Sequence, residues 1–365
     1  MNASTAKHYI VTSLDCGRDH TLALLANGKV IGWGGDGSGR VAPDTPGYCS
    51  TFKAPTRAVE VSLLQPLIAV AAGYGVSLGI TARHEVAVWG ASVAGIGGRH
   101  DAIALATPQL LPGLTGTRSV VAGEFLFGAI DTDGAVCTWG LNSEGALGRP
   151  TDAINAEPGP VRPLPPASGL ALGKGYMIAL TRDGALFGWG TNAAGQLGVG
   201  HLKSVATPEP LRLRDEIRAV AAGATHTIAM TTKGKVLAWG SNHHGQLGRP
   251  DLPYATVPMT VALPEAATSV AAGMHFSLAL AESGNVYAWG WNGHGQLGLN
   301  DSADRRVATR VPGLERVRAI AAGETHATAL TAHALLGWGS NATGQIGAAA
   351  IKQLRPVPFF VLAPA

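Results

Sequence analysis

The sequence predicts an all-β protein, a closed seven-bladed β-propeller of four-stranded antiparallel blades. Three observations predict it. A Trp-Gly pair recurs seven times, at Trp33, Trp89, Trp139, Trp189, Trp239, Trp289 and Trp338. A second mark, usually Ala-Gly, places Gly17, Gly73, Gly123, Gly173, Gly223, Gly273 and Gly323 sixteen residues ahead of each tryptophan, fifteen in the last repeat. Between the marks lie short apolar runs, none long enough for an independent helix. A fixed period near fifty residues is the signature of a repeat architecture, and the register takes in seven of the eight tryptophans. The whole of 1–365 is therefore expected to be a single propeller domain.

Residues 207–248 show one unit in full. Four strands are expected, around Pro210–Leu213, Ile217–Ala221, Thr227–Thr231 and Lys235–Trp239. The alternation in IRAVAA and HTIAM suits half-buried strands. A tight turn joins the third strand to the fourth and carries Gly28, Gly134, Gly184, Gly234 or Gly284, where glycine supplies the positive φ of a two-residue hairpin. Repeat two has Arg83-His84-Glu85 there, and repeat seven is one residue short. After Trp-Gly comes a loop such as TNAAGQLG or SNHHGQLG. Its Asn142, Asn192, Asn242, Asn292 or Asn341 bonds nearby amides, and a following Leu or Ile plugs the blade. Each register tryptophan needs a large apolar site and a partner for its N–H, which suits the junction between blades.

Four-stranded units in a row leave two exposed edges unless the array closes into a ring. The chain opens on HYIVTSLDCG and ends on QLRPVPFFVLAP. These segments read as the two parts of one blade, so a clasp is expected in which Pro356–Val361 pairs with the sheet of Tyr9–Ala23.

Composition narrows the function. Glycine is 50 of 365, near twice the usual share of about 7%, and charged residues are 14% against about 25%. The glycines lack a three-residue period and are accounted for by turns. A net charge of 27 − 24 = +3, scattered along the chain, argues against a nucleic-acid partner, which needs a clustered basic face. Cys16, Cys49 and Cys137 lack metal-site or redox spacing. No apolar run reaches membrane-spanning length. The opening MNASTAKHYI lacks an apolar signal core, so a cytoplasmic location is expected, although a non-Sec secretion signal of injected bacterial proteins would leave no such mark. The richness in alanine and glycine suggests a bacterial source.

The units resemble regulator of chromosome condensation repeats, whose pattern is Ala-Gly-x-x-His-Thr followed by Trp-Gly-x-Asn-x-x-Gly-Gln-Leu-Gly. Ala222-Gly223-Ala224-Thr225-His226-Thr227 and Trp239-Gly240-Ser241-Asn242-His243-His244-Gly245-Gln246-Leu247-Gly248 carry it most completely. The resemblance implies a seven-bladed propeller and leaves the activity open, because sites are grafted onto folds. Members of the family include a guanine nucleotide exchange factor for a nuclear GTPase, a plant ultraviolet-B photoreceptor and a secreted bacterial β-lactamase inhibitor. The photoreceptor type requires tryptophans directly after the Ala-Gly mark, and this chain has Arg18, Tyr74, Glu124, Lys174, Ala224, Met274 and Glu324 there. The inhibitor type requires a signal peptide. The exchange-factor type implies acidic and histidine side chains just after this glycine, which Asp19, Glu124, Glu324 and His275 supply in part. It also implies a protruding wedge, for which Gly34–Pro66, six residues longer than its counterparts, is the one candidate, and a basic tail, whereas Lys7 is the only cation ahead of Arg18 in this sequence.

His20, His226 and His326 recur in register and are expected to hold blades together, as are the seven Trp-Gly tryptophans. His243, His244 and His294 lie in corresponding loops without cysteine or carboxylate partners at ligand spacing, so no metal site is expected. No catalytic grouping, phosphate-binding motif or cofactor motif appears; GGDGSG at Gly34–Gly39 lacks the residues either ion or phosphate would need. Positions where the repeats disagree are not dictated by packing. Arg18, Asp19, Tyr74, Glu124, Phe125, Lys174, Tyr176, Met274, His275 and Glu324, with Phe276 beside them, are the expected partner-binding set, since aromatics, Met and Arg suit a protein interface. The expected function is a non-enzymatic protein-binding scaffold or regulator using one face. The alternatives are an exchange factor or regulator of a small GTPase, a host GTPase if the source is bacterial, and a structural subunit of a larger assembly.

Overall fold

A computed structural model describes residues 10–35, 39, 41, 59–63, 65–91, 104–347 and 351–361. Seven four-stranded antiparallel sheets follow one another along the chain, each made of consecutive strands. Blade 5 is typical. Its inner strand is Ile217–Ala222, its second His226–Thr231, its third Val236–Ser241 and its outer strand Tyr254–Thr260. Among the described residues the only helical element is a short 3-10 turn, Ser143–Gly145.

The hairpin between second and third strands forms as the sequence requires. Gly234 sits at φ +74° and Gly184 at +82°, and in repeat two His84 adopts the same left-handed conformation at +61°. The imidazole Nδ1 of His84 lies 3.0 Å from the Thr117 carbonyl, which ties this turn to blade 3.

Two expectations need correction, and both concern phase. The strand near Pro210–Leu213 does not open the unit it precedes. Val205–Pro210 pairs with Leu186–Gly190 and is the outer strand of blade 4. For the same reason the terminal clasp is not formed. Lys352–Val361 pairs with Ala334–Ser340 as the outer strand of blade 7, and Val11–Cys16 is the inner strand of blade 1, paired with His20–Leu25. An array of equal strands carries no mark of where a unit begins; the chain fills blades from the axis outward, so each end completes its own blade.

The ring closes instead through packing of blade 7 on blade 1. Val11, Leu25, Ile31 and Trp33 meet Leu330 and Leu335 in one buried cluster. Four polar links accompany it: Cys16 Sγ to Thr328 Oγ1 at 3.3 Å, Thr21 Oγ1 to His326 Nε2 at 3.0 Å, Thr21 Oγ1 to the Gln345 carbonyl at 3.1 Å, and Thr343 Oγ1 to the Asp19 carbonyl at 3.1 Å.

The same devices recur at other junctions. All seven register tryptophans are fully buried. The indole N–H of Trp189, Trp239, Trp289 and Trp338 donates to the carbonyl of Ala146, Gln196, Gln246 and Gln296 in the preceding blade's loop, at 2.8–3.0 Å. Burying an indole removes roughly 200 Å² from water, on the order of 5 kcal/mol each, and the N–H bond avoids the cost of a stranded donor. His20 Nε2 lies 3.0 Å from Ser77 Oγ of blade 2, and His226 Nε2 lies 2.9 Å from Ser277 Oγ of blade 6. The Ser277 hydroxyl donates to the Gln246 carbonyl at 2.9 Å, so its proton is already committed. The ring must therefore donate, which sets the Nε2–H tautomer of His226.

Candidate protein-binding face

In an antiparallel blade the first and third connections emerge on one face and the hairpin on the other. The turns after the repeated glycines and the loops after Trp-Gly thus share a face. The first set crowds around the axis. Adjacent turns are bonded to each other through the backbone: Arg18 N–H to Gly73 O, Tyr74 N–H to Gly123 O, Ala224 N–H to Met274 O and Met274 N–H to Glu324 O, at 3.0–3.1 Å.

This close approach is why each repeat has glycine there. A Cβ on Gly17 would lie 2.3 Å from the Gly73 carbonyl oxygen, on Gly223 2.5 Å from that of Gly273, and on Gly323 2.5 Å from that of Gly17. Wherever a histidine follows three residues on, its own ring fills the remaining space: His226 Cε1 would be 2.3 Å from the Gly223 Cβ.

The residues directly after these glycines, Arg18, Tyr74, Glu124, Lys174, Ala224, Met274 and Glu324, line a cavity of about 240 Å³ at the mouth of the axis. They form an arc of contacts across blades. Glu324 Oε2 of blade 7 is 3.2 Å from Arg18 Nε of blade 1. The Arg18 guanidinium stands 4.0 Å over the Tyr74 ring of blade 2, and that ring lies 6.3 Å from the ring of Phe125 in blade 3. Lys174 Nζ of blade 4 is 3.7 Å from Glu124 Oε2 of blade 3. Such half-exposed pairs add little to stability; their effect is to set the charge pattern of the rim. Burial raises the Glu324 carboxyl above the usual carboxylate range; Arg18 opposes this, while Asp19 and Glu124 add to it. Ala224 contributes no side chain beyond Cβ, which leaves the wall lowest at blade 5.

Tyr176 does not belong to this face, contrary to expectation. It is fully buried, and its hydroxyl donates to the His226 carbonyl at 2.6 Å and lies 3.2 Å from Thr227 Oγ1. It stands three residues after its glycine, the place that His20, His226 and His326 take in their blades, and the fully buried Phe276 takes it in blade 6. A buried ring takes this position in five blades, and the buried Val76 and Leu126 take it in blades 2 and 3. Of the longer Gly34–Pro66 stretch, residues 36–38, 40, 42–58 and 64 lie outside the described residues.

Next to Met274 the face carries a cluster of His244, His275 and His294, all singled out from the sequence, around Trp291, which was not. The Trp291 ring lies 5.8 Å from His244, 6.1 Å from His275 and 5.1 Å from His294, and His244 lies 5.4 Å from His275. His244 Nδ1 is 2.9 Å from Asp304 Oδ2. Burial holds His275 below the usual imidazole pKa, and His244, His243 and Lys174 add to this, so it is neutral at physiological pH. Among the described residues no group of three or more histidine, cysteine or acidic side chains is arranged to hold a metal. The signal was present: Trp291 is the eighth tryptophan, the one out of register, at a position where other repeats carry Gly, Ala, Leu, Thr or Ser.

No helix among the described residues is long and apolar enough to cross a membrane. No curated protein sequence matches the chain. Among solved structures it is similar to Prp20p from Saccharomyces cerevisiae, with 23% identity over 86% of this chain and 80% of that one, at a TM-score of 0.77. It is similar also to human WBSCR16, with 22% identity over 91% and 93% of the two chains, at a TM-score of 0.81. These identities show a shared fold. Family profiles match more specifically: regulator of chromosome condensation repeats over residues 11–40 and 133–180, and the RCC1-like domain over 167–362. With that match spanning more than half the sequence, and with seven blades built on the same Ala-Gly and Trp-Gly marks, the chain belongs to the RCC1-like domain family.

Proposed function

We propose that this chain is a non-enzymatic regulator that binds a protein partner through the axial mouth and its rim. One observation carries the reading. The positions at which the repeats disagree, and which packing therefore leaves free, converge on a single mouth, where they bring together Arg18, Tyr74, Glu124, Phe125, Lys174, Met274 and Glu324. Trp291 and His275 extend this surface over blade 6, and His244 carries it to blade 5. An arginine, aromatics and a methionine ringed by charge are the composition of an interface centre. The similarity to Prp20p, whose structure is described together with its binding to Gsp1p and histones, supports a protein partner. The test is affinity capture from the native cell with the full chain and with Glu124→Lys/Glu324→Lys. Loss of the captured protein supports the mouth as the site; an unchanged set of captured proteins places the site elsewhere.

A second reading, regulation of a small GTPase by nucleotide exchange, is favoured by the acids Glu124 and Glu324 in the lining of the mouth, with Asp19 following Arg18 in blade 1. It requires the chain to accelerate release of labelled GDP from a GTPase. Equal release with and without the chain, for a GTPase shown to bind it, removes this reading and leaves the first.

A further inference from the structure

Beneath the mouth the axis continues as a second cavity of about 360 Å³, walled by the inner strands. The two spaces share Cys16, Ala72, Ala122, Leu172, Ala222, Ala272 and Ala322, which form the floor of one and the ceiling of the other. The next layer down, two residues before each repeated glycine, reads Asp15, Ala71, Val121, Ala171, Ala221, Ala271 and Ala321. Six of the seven blades place a small apolar residue in this layer; blade 1 places a carboxylate. Asp15 Oδ2 accepts the Ala72 N–H of blade 2 at 2.7 Å. Among the described residues no cation pairs with Asp15, and Arg18, the cation of its own blade at the rim, is engaged by Glu324 and Tyr74.

A mouth floored by small apolar side chains, opening below onto a mainly polar cavity with one charged side chain, Asp15, has a definite complement: a methylene stem with a compact cationic head. A lysine has that shape, with a four-carbon stem that packs along apolar surface while its ammonium seeks a partner. Asp15 lies one residue, about 3.3 Å, below the floor of the mouth. Arginine fits less well. Its planar fork favours two parallel bonds to a carboxylate, and one Asp15 oxygen is already held by the Ala72 amide. The rim favours the approach of a cation, since Asp19, Glu124 and Glu324 outnumber Arg18 and Lys174 there. We propose that the axial mouth receives a lysine side chain of the protein partner, with its ammonium pairing with Asp15 through the apolar floor. This rests on the mouth being the partner-binding surface. Burial raises the Asp15 carboxyl to about 6, and the backbone amides of Ala72 and Cys16 oppose that rise.

The probe is n-butylammonium, a lysine side chain without its backbone, read by the amide NMR signal of Ala72 in the full chain. A saturable shift is expected with n-butylammonium, at least tenfold weaker binding with n-butylguanidinium, and no saturation with n-butanol. Asp15→Asn keeps an oxygen for the Ala72 N–H and is expected to fold and to abolish saturation. No saturable shift in the parent protein, or the same shift in Asp15→Asn, would overturn the proposal. If the amine is silent while Glu124→Lys/Glu324→Lys loses the partner, the lysine pocket falls and the mouth reading stands. Asp15-dependent amine binding with unchanged partner capture removes the mouth reading, and the partner lysine with it.

Discussion

His326 Nε2 of the last blade lies 3.0 Å from Thr21 Oγ1 of the first, and the Thr21 hydroxyl reaches on to the Gln345 carbonyl at 3.1 Å. The bond closing the ring is the bond that joins its interior blades, His226 to Ser277. Closure is therefore one more junction of the ordinary kind. Thr21→Val strands a buried imidazole N–H and is expected to cost about 1–3 kcal/mol. Ser277→Ala is expected to cost a similar amount. Denaturant unfolding of the two variants checks this; a much larger loss for Thr21→Val would mean that the closing junction is held differently.

Acid should destabilise the protein through its buried histidines. Burial depresses His226 and His326 to about 3, with His275 adding at His226. A histidine that titrates near 6.5 when unfolded and near 3 when folded stabilises the fold above about pH 6.5, and that contribution is lost as pH falls toward 3. It amounts to on the order of 4–5 kcal/mol per residue. Asp15 acts in the opposite sense. Its raised folded value makes the fold more stable as pH falls through about 6, by on the order of 3 kcal/mol. The histidines outweigh it, so urea midpoints should drop between pH 7 and pH 4.5. His226→Phe, which copies the ring that Phe276 supplies in blade 6, should remove most of the drop, because the remaining histidine and Asp15 then nearly offset each other.

Gly223→Ala should be among the most damaging single-methyl changes in the chain. Its Cβ would lie 2.3 Å from His226 Cε1 and 2.5 Å from the Gly273 oxygen, and neither the buried ring nor the neighbouring backbone can retreat. A loss of about 3 kcal/mol or more is expected. Gly313→Ala is the control. Nothing lies within 4 Å of its Cβ, although φ is +74°, so only backbone strain of about 1 kcal/mol applies. Thermal unfolding of both separates close approach from strain.

Trp291→Ala and Tyr176→Phe should part company. Trp291 is a half-buried ring on the face, and its removal is expected to weaken partner binding by about 2 kcal/mol or more with little change in stability. Tyr176→Phe leaves the face untouched, loses the bond to the His226 carbonyl, and should cost about 1–2 kcal/mol of stability with unaltered binding. Calorimetric titration with the captured partner, together with denaturant unfolding, reads both.

Much of the fold was legible because the repeat repeats its physics. Glycine, tryptophan and the Asn loop recur wherever a turn, a junction or a plug is needed, and the sheets formed around those marks. The phase was not legible: the strand over 205–210 could complete either of two sheets, and only its pairing with Leu186–Gly190 decides it. At the mouth, disagreement between repeats found the residues that converge. Tyr176 was drawn in by adjacency, although its register with His20, His226 and His326 already marked it as a bridge to the next blade. Asp15 and Trp291 were missed because each is a departure at a position otherwise uniform or small, visible only when the repeats are compared column by column.

The central claim is that the mouth face is the binding face. Hydrogen exchange of the full chain with and without its captured partner tests it most directly. Protection is expected in the turns 17–19, 73–75, 123–125, 273–275 and 323–325, with no change in the opposite hairpins at 27–29, 132–134, 182–184 and 282–285. Protection confined to those hairpins, with the turns around the axis unaltered, would contradict it.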